Sequence, residues 1–258
     1  MIDPRAVIDP AAQLAADVNV GPFAVIGPDV AINSGTWIGP HAVINGPTRI
    51  GRDNRIYQFA SIGDAPQDKK YTGEPTRLEV GDRNVIREFV TINRGTTQDE
   101  GVTRIGDDNW IMAYAHIAHD CRVGSQVVFS NSASLAGHVT VDDFATLGGF
   151  TLVHQYCSIG SYAFSSFGSV ISKDVPPFIT VAGNPAHEQG LNTEGLKRHG
   201  FSEASRNVLR QSYRIIYRSN LSLQEASDRL RELDDASGEV AMLVQFLARQ
   251  KRGLVRHA

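Results

Sequence analysis

The sequence has 258 residues, of which 41% are hydrophobic and 21% are charged, and its net charge is −3. This length suits one large domain, or a large domain with a smaller one attached. The ordinary composition and weakly acidic balance give no reason to expect a nucleic-acid partner.

The N-terminal stretch MIDPRAVIDP lacks the basic and apolar regions of a signal peptide. No apolar run approaches the roughly 18 residues that a membrane-spanning helix needs. Cys121 and Cys157 agree with a reducing compartment. We therefore expect a cytoplasmic protein without a transmembrane segment.

Aliphatic residues recur every six positions from the N-terminus onward. The first run is Ile2, Ile8, Leu14, Val20, Ile26, Ile32, Ile38, Ile44, Ile50, Ile56 and Ile62. Small residues often stand two positions earlier, as at Ala24 and Ala42, and glycine often follows, as at Gly21 and Gly51. Neither a helix nor an ordinary strand has this period. Each unit is therefore predicted to be one short strand and one turn, with the aliphatic side chain inside and glycine permitting the turn.

The series pauses at 63–79 and at 93–104, which we predict to be loops. The run between them is Val80, Ile86 and Ile92, and the last run, shifted by one residue, is Ile105, Ile111, Ile117, Val123, Phe129, Leu135, Val141, Leu147, Val153, Ile159 and Ile171. Ser165 is the exception within that last run. The pattern predicts a mainly β protein, a parallel β-helix of hexapeptide repeats with ~18 residues per coil and ~4.8 Å between coils.

This coil length places Cys121 and Cys157 two coils apart, at ~9.6 Å. A disulfide requires Cα atoms within ~7 Å, so we expect both cysteines to be packing residues. Spacing does not give the handedness of the coil. The sequence resembles hexapeptide-repeat proteins as a family, and that resemblance implies a left-handed coil and a homotrimer.

The repeat ends after Ile171, and the stretch KDVPPFITVAGNPA at 173–186 is typical of a terminating segment. Helices are predicted at about 202–219, 222–235 and 239–251. Ser222 and Glu225 have the spacing of a capping box. We therefore predict a β-helix at 1–186 and a C-terminal helical domain at 187–258.

Four histidines, His116, His119, His138 and His154, fall in three successive predicted coils. Isolated outward histidines are usually solvated surface residues, but this grouping favours a site. One alternative is a zinc site like that of the gamma carbonic anhydrases, which also have the hexapeptide scaffold. The other is acid–base chemistry, with a carboxylate such as Asp120 orienting the imidazole.

Five stretches carry a more specific resemblance. They are AHIAHDCRVG (115–124), LAGHVTVDDFA (135–145), LVHQYCSIG (152–160), QDKKYTGEPTR (67–77) and NTEGLKRHGF (192–201). With them, essentially the whole chain resembles the UDP-N-acetylglucosamine O-acyltransferase family, which catalyses the first step of lipid A biosynthesis. The resemblance implies transfer of a 3-hydroxyacyl chain from acyl carrier protein to the 3-hydroxyl of UDP-N-acetylglucosamine, without a metal or cofactor.

The same resemblance implies a role for particular residues. His119 would be the general base and the Gly137 N–H an oxyanion donor. Asp120 is a candidate orienting residue only because it follows His119, although neighbours in a strand point apart. The substrate-binding residues implied are Asp68, Lys70, His116, His138, His154, Gln155, Asn192, Glu194 and Arg198, lining a cleft between subunits.

Three residues depart from the family pattern. Asn93 stands where histidine is usual, and His199 stands where a second arginine often follows Arg198. Phe167 falls near the acyl-length ruler, where small residues admit long chains. A bulky ring there predicts an acyl chain shorter than C14, near C10.

Arg206, Arg210, Arg214 and Arg218 recur every four residues and would form one stripe on the first predicted helix. Such a stripe would suit an acidic carrier protein through electrostatic steering. A simply solvated helix face fits the same spacing.

Overall fold

The computed structural model describes residues 1–233 and 238–256. Within them the chain winds from a first sheet to a second and a third, and then returns to the first one coil further on. The fold is a left-handed parallel β-helix followed by helices, as predicted. Coil length is also as predicted, because Val7 pairs with Val25 and Ile8 with Ile26.

The strands are numbered in chain order and grouped here by sheet. The first sheet contains β1 Val7–Ile8, β4 Val25–Ile26, β7 Val43–Ile44, β10 Ser61–Asp64, β13 Thr91–Asn93, β16 His116–Ile117, β19 Ser134–Leu135, β22 Leu152–Val153 and β25 Val170–Ile171. The second contains β2 Gln13–Leu14, β5 Val30–Ile32, β8 Thr48–Ile50, β11 Arg77–Val80, β14 Val102–Ile105, β17 Arg122–Val123, β20 Thr140–Val141 and β23 Ser158–Ile159. The third contains β3 Asn19–Val20, β6 Trp37–Ile38, β9 Arg55–Ile56, β12 Val85–Ile86, β15 Trp110–Ile111, β18 Val128–Phe129, β21 Thr146–Leu147, β24 Phe164–Ser165, β26 Ile179–Ala182 and β27 His187–Leu191.

The three turns of each coil form three corners that run along the β-helix. We call the corner between the first and second sheets the first corner, the next one the second corner, and the one between the third and first sheets the third corner. Strand pairing continues into both predicted loops, so the segments without strand are 65–76 and 94–101. Both project from the first corner.

The aliphatic series fills the interior, as expected, and Ile44, Ile62 and Ile92 are fully buried. Ser165, the exception, is also buried, and its hydroxyl bonds to the Thr151 hydroxyl at 2.8 Å. Cys121 and Cys157 are buried and free, which confirms their predicted packing role.

The predicted role of Gly21 and Gly51 in permitting the turn is wrong, since neither has a positive φ. At most turns the left-handed backbone is carried by other residues, such as Phe23 (φ 60°) and Asp53 (φ 55°), each two positions after the glycine of its repeat. Gly21 is required for space instead, because a Cβ there would lie 2.8 Å from the Pro40 nitrogen. Close stacking of coils therefore selects glycine at this position, whereas the turn tolerates larger residues.

Buried polar side chains form a ladder inside the second corner. The Asn84 amide donates to Asn54 Oδ1 at 3.0 Å and to the Gly106 carbonyl at 2.9 Å, and its Oδ1 accepts from the Asn109 backbone N–H at 2.9 Å. Each amide therefore satisfies backbone groups of neighbouring coils that the short strands leave unpaired.

Asn84→Ala is expected to lower the free energy of unfolding by roughly 3 kcal/mol, because it leaves buried donors and acceptors of two neighbouring coils unpaired. The measurement is a denaturant midpoint for the variant and for Asn19→Ala, which changes an exposed asparagine. Equal midpoints for the two variants would contradict a stabilising role for the ladder.

The C-terminal helices are α1 Thr193–Arg198, α2 Glu203–Arg218, α3 Leu223–Arg231 and α4 Glu239–Arg249. The capping box of Ser222 and Glu225 is present. The prediction missed α1 and extended the second predicted helix, 222–235, too far, since the corresponding α3 ends at Arg231. Residues 234–235 of that prediction lie outside the described part. The predicted domain boundary falls just before β27, which pairs antiparallel with β26, so the two-domain division stays a prediction.

Among the described residues, no helix is long and apolar enough to cross a bilayer.

Candidate active site

His119 and Asp120 form a hydrogen-bonded pair at the first corner. Adjacent side chains in a strand point apart, but Asp120 occupies the left-handed turn position (φ 59°), which brings its Oδ2 to 2.8 Å from His119 Nδ1. An ionised carboxylate here holds the proton on Nδ1, and this tautomer leaves Nε2 as the basic nitrogen.

The Asp120 carboxylate is buried and held by the second loop. It accepts from the Thr96 N–H at 2.8 Å and from the Thr96 hydroxyl at 2.6 Å. Burial raises the pKa of the Asp120 carboxyl, but hydrogen bonds from His119 and Thr96 outweigh it and hold that pKa below its usual value. The group is therefore a carboxylate at neutral pH.

Gly137 lies directly against the His119 ring. A Cβ at this position would approach His119 Cε1 to 2.5 Å and Nε2 to 2.7 Å, so any other residue would displace the imidazole. Its N–H donates to no group in the part of the chain that the structure describes. A free backbone donor therefore stands beside the basic nitrogen.

His138 completes the cluster from the next coil. Its ring stands perpendicular to that of His119 at 5.1 Å between centroids and stacks on Tyr156 at 4.5 Å. Its Nε2 lies 3.7 Å from Asp120 Oδ2, and its Nδ1 lies 3.5 Å from Asp99 Oδ2. Asp99, from the second loop, is a site residue that sequence reasoning missed. Its position in a loop without repeat register gave no signal of this contact.

His116 lies on β16, where its Nδ1 bonds to the Thr91 hydroxyl at 2.7 Å. Burial lowers the pKa of His116, and the neighbouring charge of His119 adds to this effect. His116 is therefore a neutral neighbour of the pair.

His154 and Gln155 stand one coil beyond Gly137, and both are exposed. His154 Nδ1 lies 3.2 Å from the Gln155 carbonyl and 3.5 Å from Arg252 Nη2. His119, Gly137 and Gln155 occupy the same position of successive repeats, and they form a column along the first corner.

The two loops meet beside this column. Asp68 accepts from the Lys70 backbone N–H at 3.0 Å and from the Gln98 amide at 2.8 Å. The Lys70 hydrogen bond is the main cause that lowers the pKa of Asp68, with Gln98 and the charge of His119 adding to it. Asn93 is buried at the base of the loops, and its amide donates to the Ala65 carbonyl at 2.9 Å.

Asn192, Glu194 and Arg198 line a separate cleft of about 450 Å³ between α1 and the third sheet. The Asn192 side chain is used within the fold, since it accepts from the Gly195 N–H at 3.1 Å and donates to the Tyr162 carbonyl at 2.9 Å. Glu194 pairs with Lys197 at 2.9 Å, whereas Arg198 is exposed. His199 also lines the cleft, with its ring edge on Phe144 at 5.3 Å.

Phe167 lies at the third corner. It is 76% exposed, and its ring meets that of Phe150 edge-on at 5.6 Å. The predicted residues thus fall into three places within one chain: the first corner, the α1 cleft and the third corner.

Comparison with known proteins identifies the family of this chain. Residues 174–255 match the model described as Udp N-acetylglucosamine O-acyltransferase, Domain 2, and residues 103–137 match the bacterial transferase hexapeptide model. The acyl-(acyl-carrier-protein)–UDP-N-acetylglucosamine O-acyltransferase of Halorhodospira halophila is 60% identical over 255 residues, with 99% of each chain covered. The chain belongs to the UDP-N-acetylglucosamine O-acyltransferase family. It is accordingly an O-acyltransferase, of the family that acts in lipid A biosynthesis.

Other members of the UDP-N-acetylglucosamine O-acyltransferase family are similar in sequence and structure. The protein from Janthinobacterium sp. (strain Marseille) is 55% identical over 260 residues, with 99% of each chain covered. The UDP-N-acetylglucosamine O-acyltransferase structure from Moraxella catarrhalis has a TM-score of 0.97 and 44% identity, covering 99% of each chain. The Francisella novicida structure has a TM-score of 0.97 at 39% identity, covering 100% of this chain and 94% of that one.

Within the described residues of this acyltransferase, one group could hold a metal ion. Ligand atoms of His119, Asp120 and His138 all lie within 4.8 Å of one another, and imidazole and carboxylate groups are zinc ligands. The same Asp120 carboxylate is already occupied by hydrogen bonds from Thr96 and His119. This hydrogen bonding favours acid–base chemistry over the zinc alternative.

Proposed function

We propose that the chain transfers a 3-hydroxyacyl group from acyl carrier protein to the 3-hydroxyl of UDP-N-acetylglucosamine, the first reaction of lipid A biosynthesis, in the cytoplasm. Relatives covering the whole chain carry acyl carrier protein and UDP-N-acetylglucosamine in their names. The observation that carries the proposal is the His119–Asp120 pair, with a free Gly137 N–H beside the basic nitrogen.

His119 is the general base in this reaction. Its Nε2 removes the proton of the sugar hydroxyl while that oxygen attacks the thioester carbonyl. The Gly137 N–H stabilises the oxyanion that forms. The C–S bond then breaks, and the imidazolium returns the proton to the departing thiolate.

We infer that the site is completed in a homotrimer. Within one chain, Phe167 lies at the third corner and the α1 cleft lies on the third sheet, and both are away from the first corner that carries His119. A neighbouring copy that sets its third sheet and third corner against this first corner would bring the acyl ruler and the nucleotide residues to the base. Asp68, Lys70, His116, His138, His154 and Gln155 would then contact the sugar, its phosphates and the acyl donor from one copy. Asn192, Glu194 and Arg198 would bind the nucleotide from the other.

The test is acyl transfer from a series of 3-hydroxyacyl carrier proteins to UDP-N-acetylglucosamine, with metal-free protein. We expect transfer that persists after chelation, with the highest kcat/KM near C10. Absence of transfer, together with about one zinc per chain in untreated protein, would favour the carbonic anhydrase alternative. Sedimentation of the same preparation measures the oligomeric state.

A further inference from the structure

The column of His119, Gly137 and Gln155 continues one coil further to Lys173. Each residue stands two positions after the aliphatic residue of its repeat, so they follow one another along the first corner. Lys173 is exposed and has no ion-pair partner in the part of the chain that the structure describes. A free cation therefore ends the column that begins at the base.

The C-terminal tail places two more basic residues beside Lys173. The buried Asp174 carboxylate accepts from the Lys251 N–H at 2.8 Å and from the Arg252 N–H at 3.1 Å. The Asp174 backbone pairs with the tail as well, donating to the Gly253 carbonyl at 2.7 Å. Arg252 extends toward His154, with Nη2 3.5 Å from Nδ1. We call Lys173, Lys251 and Arg252 the basic end of the first corner.

The two ends of this corner differ in how their charges are paired. Near His119 the carboxylates stand beside basic residues, since Arg122 lies 3.3 Å from Asp99 and Asp68 adjoins Lys70. At the basic end, within the described residues, the Asp174 carboxylate is buried and used by backbone N–H groups. A phosphate that reaches along the column from Gly137 would therefore meet unpaired positive charge at Lys173.

We propose that the basic end binds the phosphate of the phosphopantetheine arm of the acyl carrier protein. This inference rests on the proposed function, in which the thioester lies at Gly137. Lys173 is two coils from Gly137, roughly 10 Å along the axis, to which its side chain adds reach. The extended arm equals about four residues of peptide, roughly 14 Å. Gln155 lies between, where its amide can pair with the amides of the arm.

The arginine stripe of α2 is the competing docking surface, and part of it is engaged within the chain. Arg206 donates to the Phe201 carbonyl, and Arg218 lies 3.6 Å from Glu188. Arg210 and Arg214 are exposed. The arginines of the stripe are not aligned with the column of His119, Gly137 and Gln155. The basic end, in contrast, continues that column.

Three donors with the same acyl chain distinguish recognition of the phosphate from recognition of the carrier protein itself. They are acyl carrier protein, acyl-phosphopantetheine, and acyl-pantetheine without phosphate. For the wild type we expect acyl-phosphopantetheine to have a KM about tenfold below that of acyl-pantetheine, because a charge-assisted hydrogen bond is lost with the phosphate. Lys173→Ala and Arg252→Ala should bring this ratio close to one, and Lys173→Arg should restore it. Arg49→Ala, at an exposed arginine of β8, is the matched control and should keep the ratio.

A wild type that does not prefer the phosphorylated donor would overturn the inference, as would a preference that survives in Lys173→Ala and Arg252→Ala. If Lys173→Ala and Arg252→Ala raise KM for carrier protein alone, these residues contact acidic side chains of the carrier, and the phosphate site is overturned. In all these outcomes transfer continues. Failure of the proposed function differs, because the wild type would then transfer from none of the three donors.

Discussion

His119→Ala is expected to lower kcat by a factor of roughly 10² to 10⁴, the range that a positioned general base contributes. The neighbouring Asp120 carboxylate cannot replace His119 as the base, because it faces His119 Nδ1 and is buried. The measurement is kcat with saturating donor and acceptor, followed for wild type and variant in the same preparation.

The fold should survive this substitution. Asp120 keeps its hydrogen bonds from Thr96, and the turn conformation belongs to Asp120 rather than to His119. His41→Ala is the matched control, because His41 is an exposed histidine of the third corner, stacked between Phe23 and Phe59. A His119→Ala variant with an unchanged Tm and more than about a tenth of wild-type kcat would exclude His119 as the base.

Much of this scaffold could be read from the sequence because a β-helix coil has a fixed length. Residues such as Ile44, Ile62 and Ile92 meet the same interior environment once per coil, so the selection for size and hydrophobicity recurs at a constant interval. The prediction that His119 and His138 lie in adjacent coils followed from the same regularity, and the rings do meet at 5.1 Å.

Features that depend on single turns could not be predicted from the period. Asp120 reaches His119 only because its φ is positive, and a repeat alignment does not distinguish such a turn from a strand in which neighbours diverge. Thr96 and Asp99 come from a loop outside the repeat, so nothing in their spacing indicated contact with Asp120 and His138. Helix α1 was missed because it has only six residues, too few to show a helical period.

Contacts between copies are a third limit of sequence reasoning, and Phe167 illustrates it. Family resemblance marked it as an acyl ruler, yet in one chain its ring is 76% exposed at the corner away from His119. Its effect on chain length therefore depends on how a second copy is placed.

Phe167→Gly is expected to shift the preferred donor from near C10 toward C14. A ring that closes the groove excludes about four methylene groups, each worth about 0.8 kcal/mol on burial, so opening the groove should raise kcat/KM for C14 roughly 200-fold relative to C10. Phe167→Leu should give an intermediate shift, because it removes part of the ring volume. The measurement is kcat/KM across C8 to C16 3-hydroxyacyl carrier proteins.

Phe23→Ala is the control for loss of an exposed aromatic side chain, since Phe23 stands at the same corner near the N-terminus. It should leave the chain-length profile of the wild type unchanged. A wild type that prefers C14, or a Phe167→Gly profile that still peaks near C10, would contradict the ruler. Because the ring lies at the third corner, a shift in Phe167→Gly would also mean that the acyl chain crosses from the His119 column of one copy to the third corner of another. The same profile therefore tests the arrangement of the subunits.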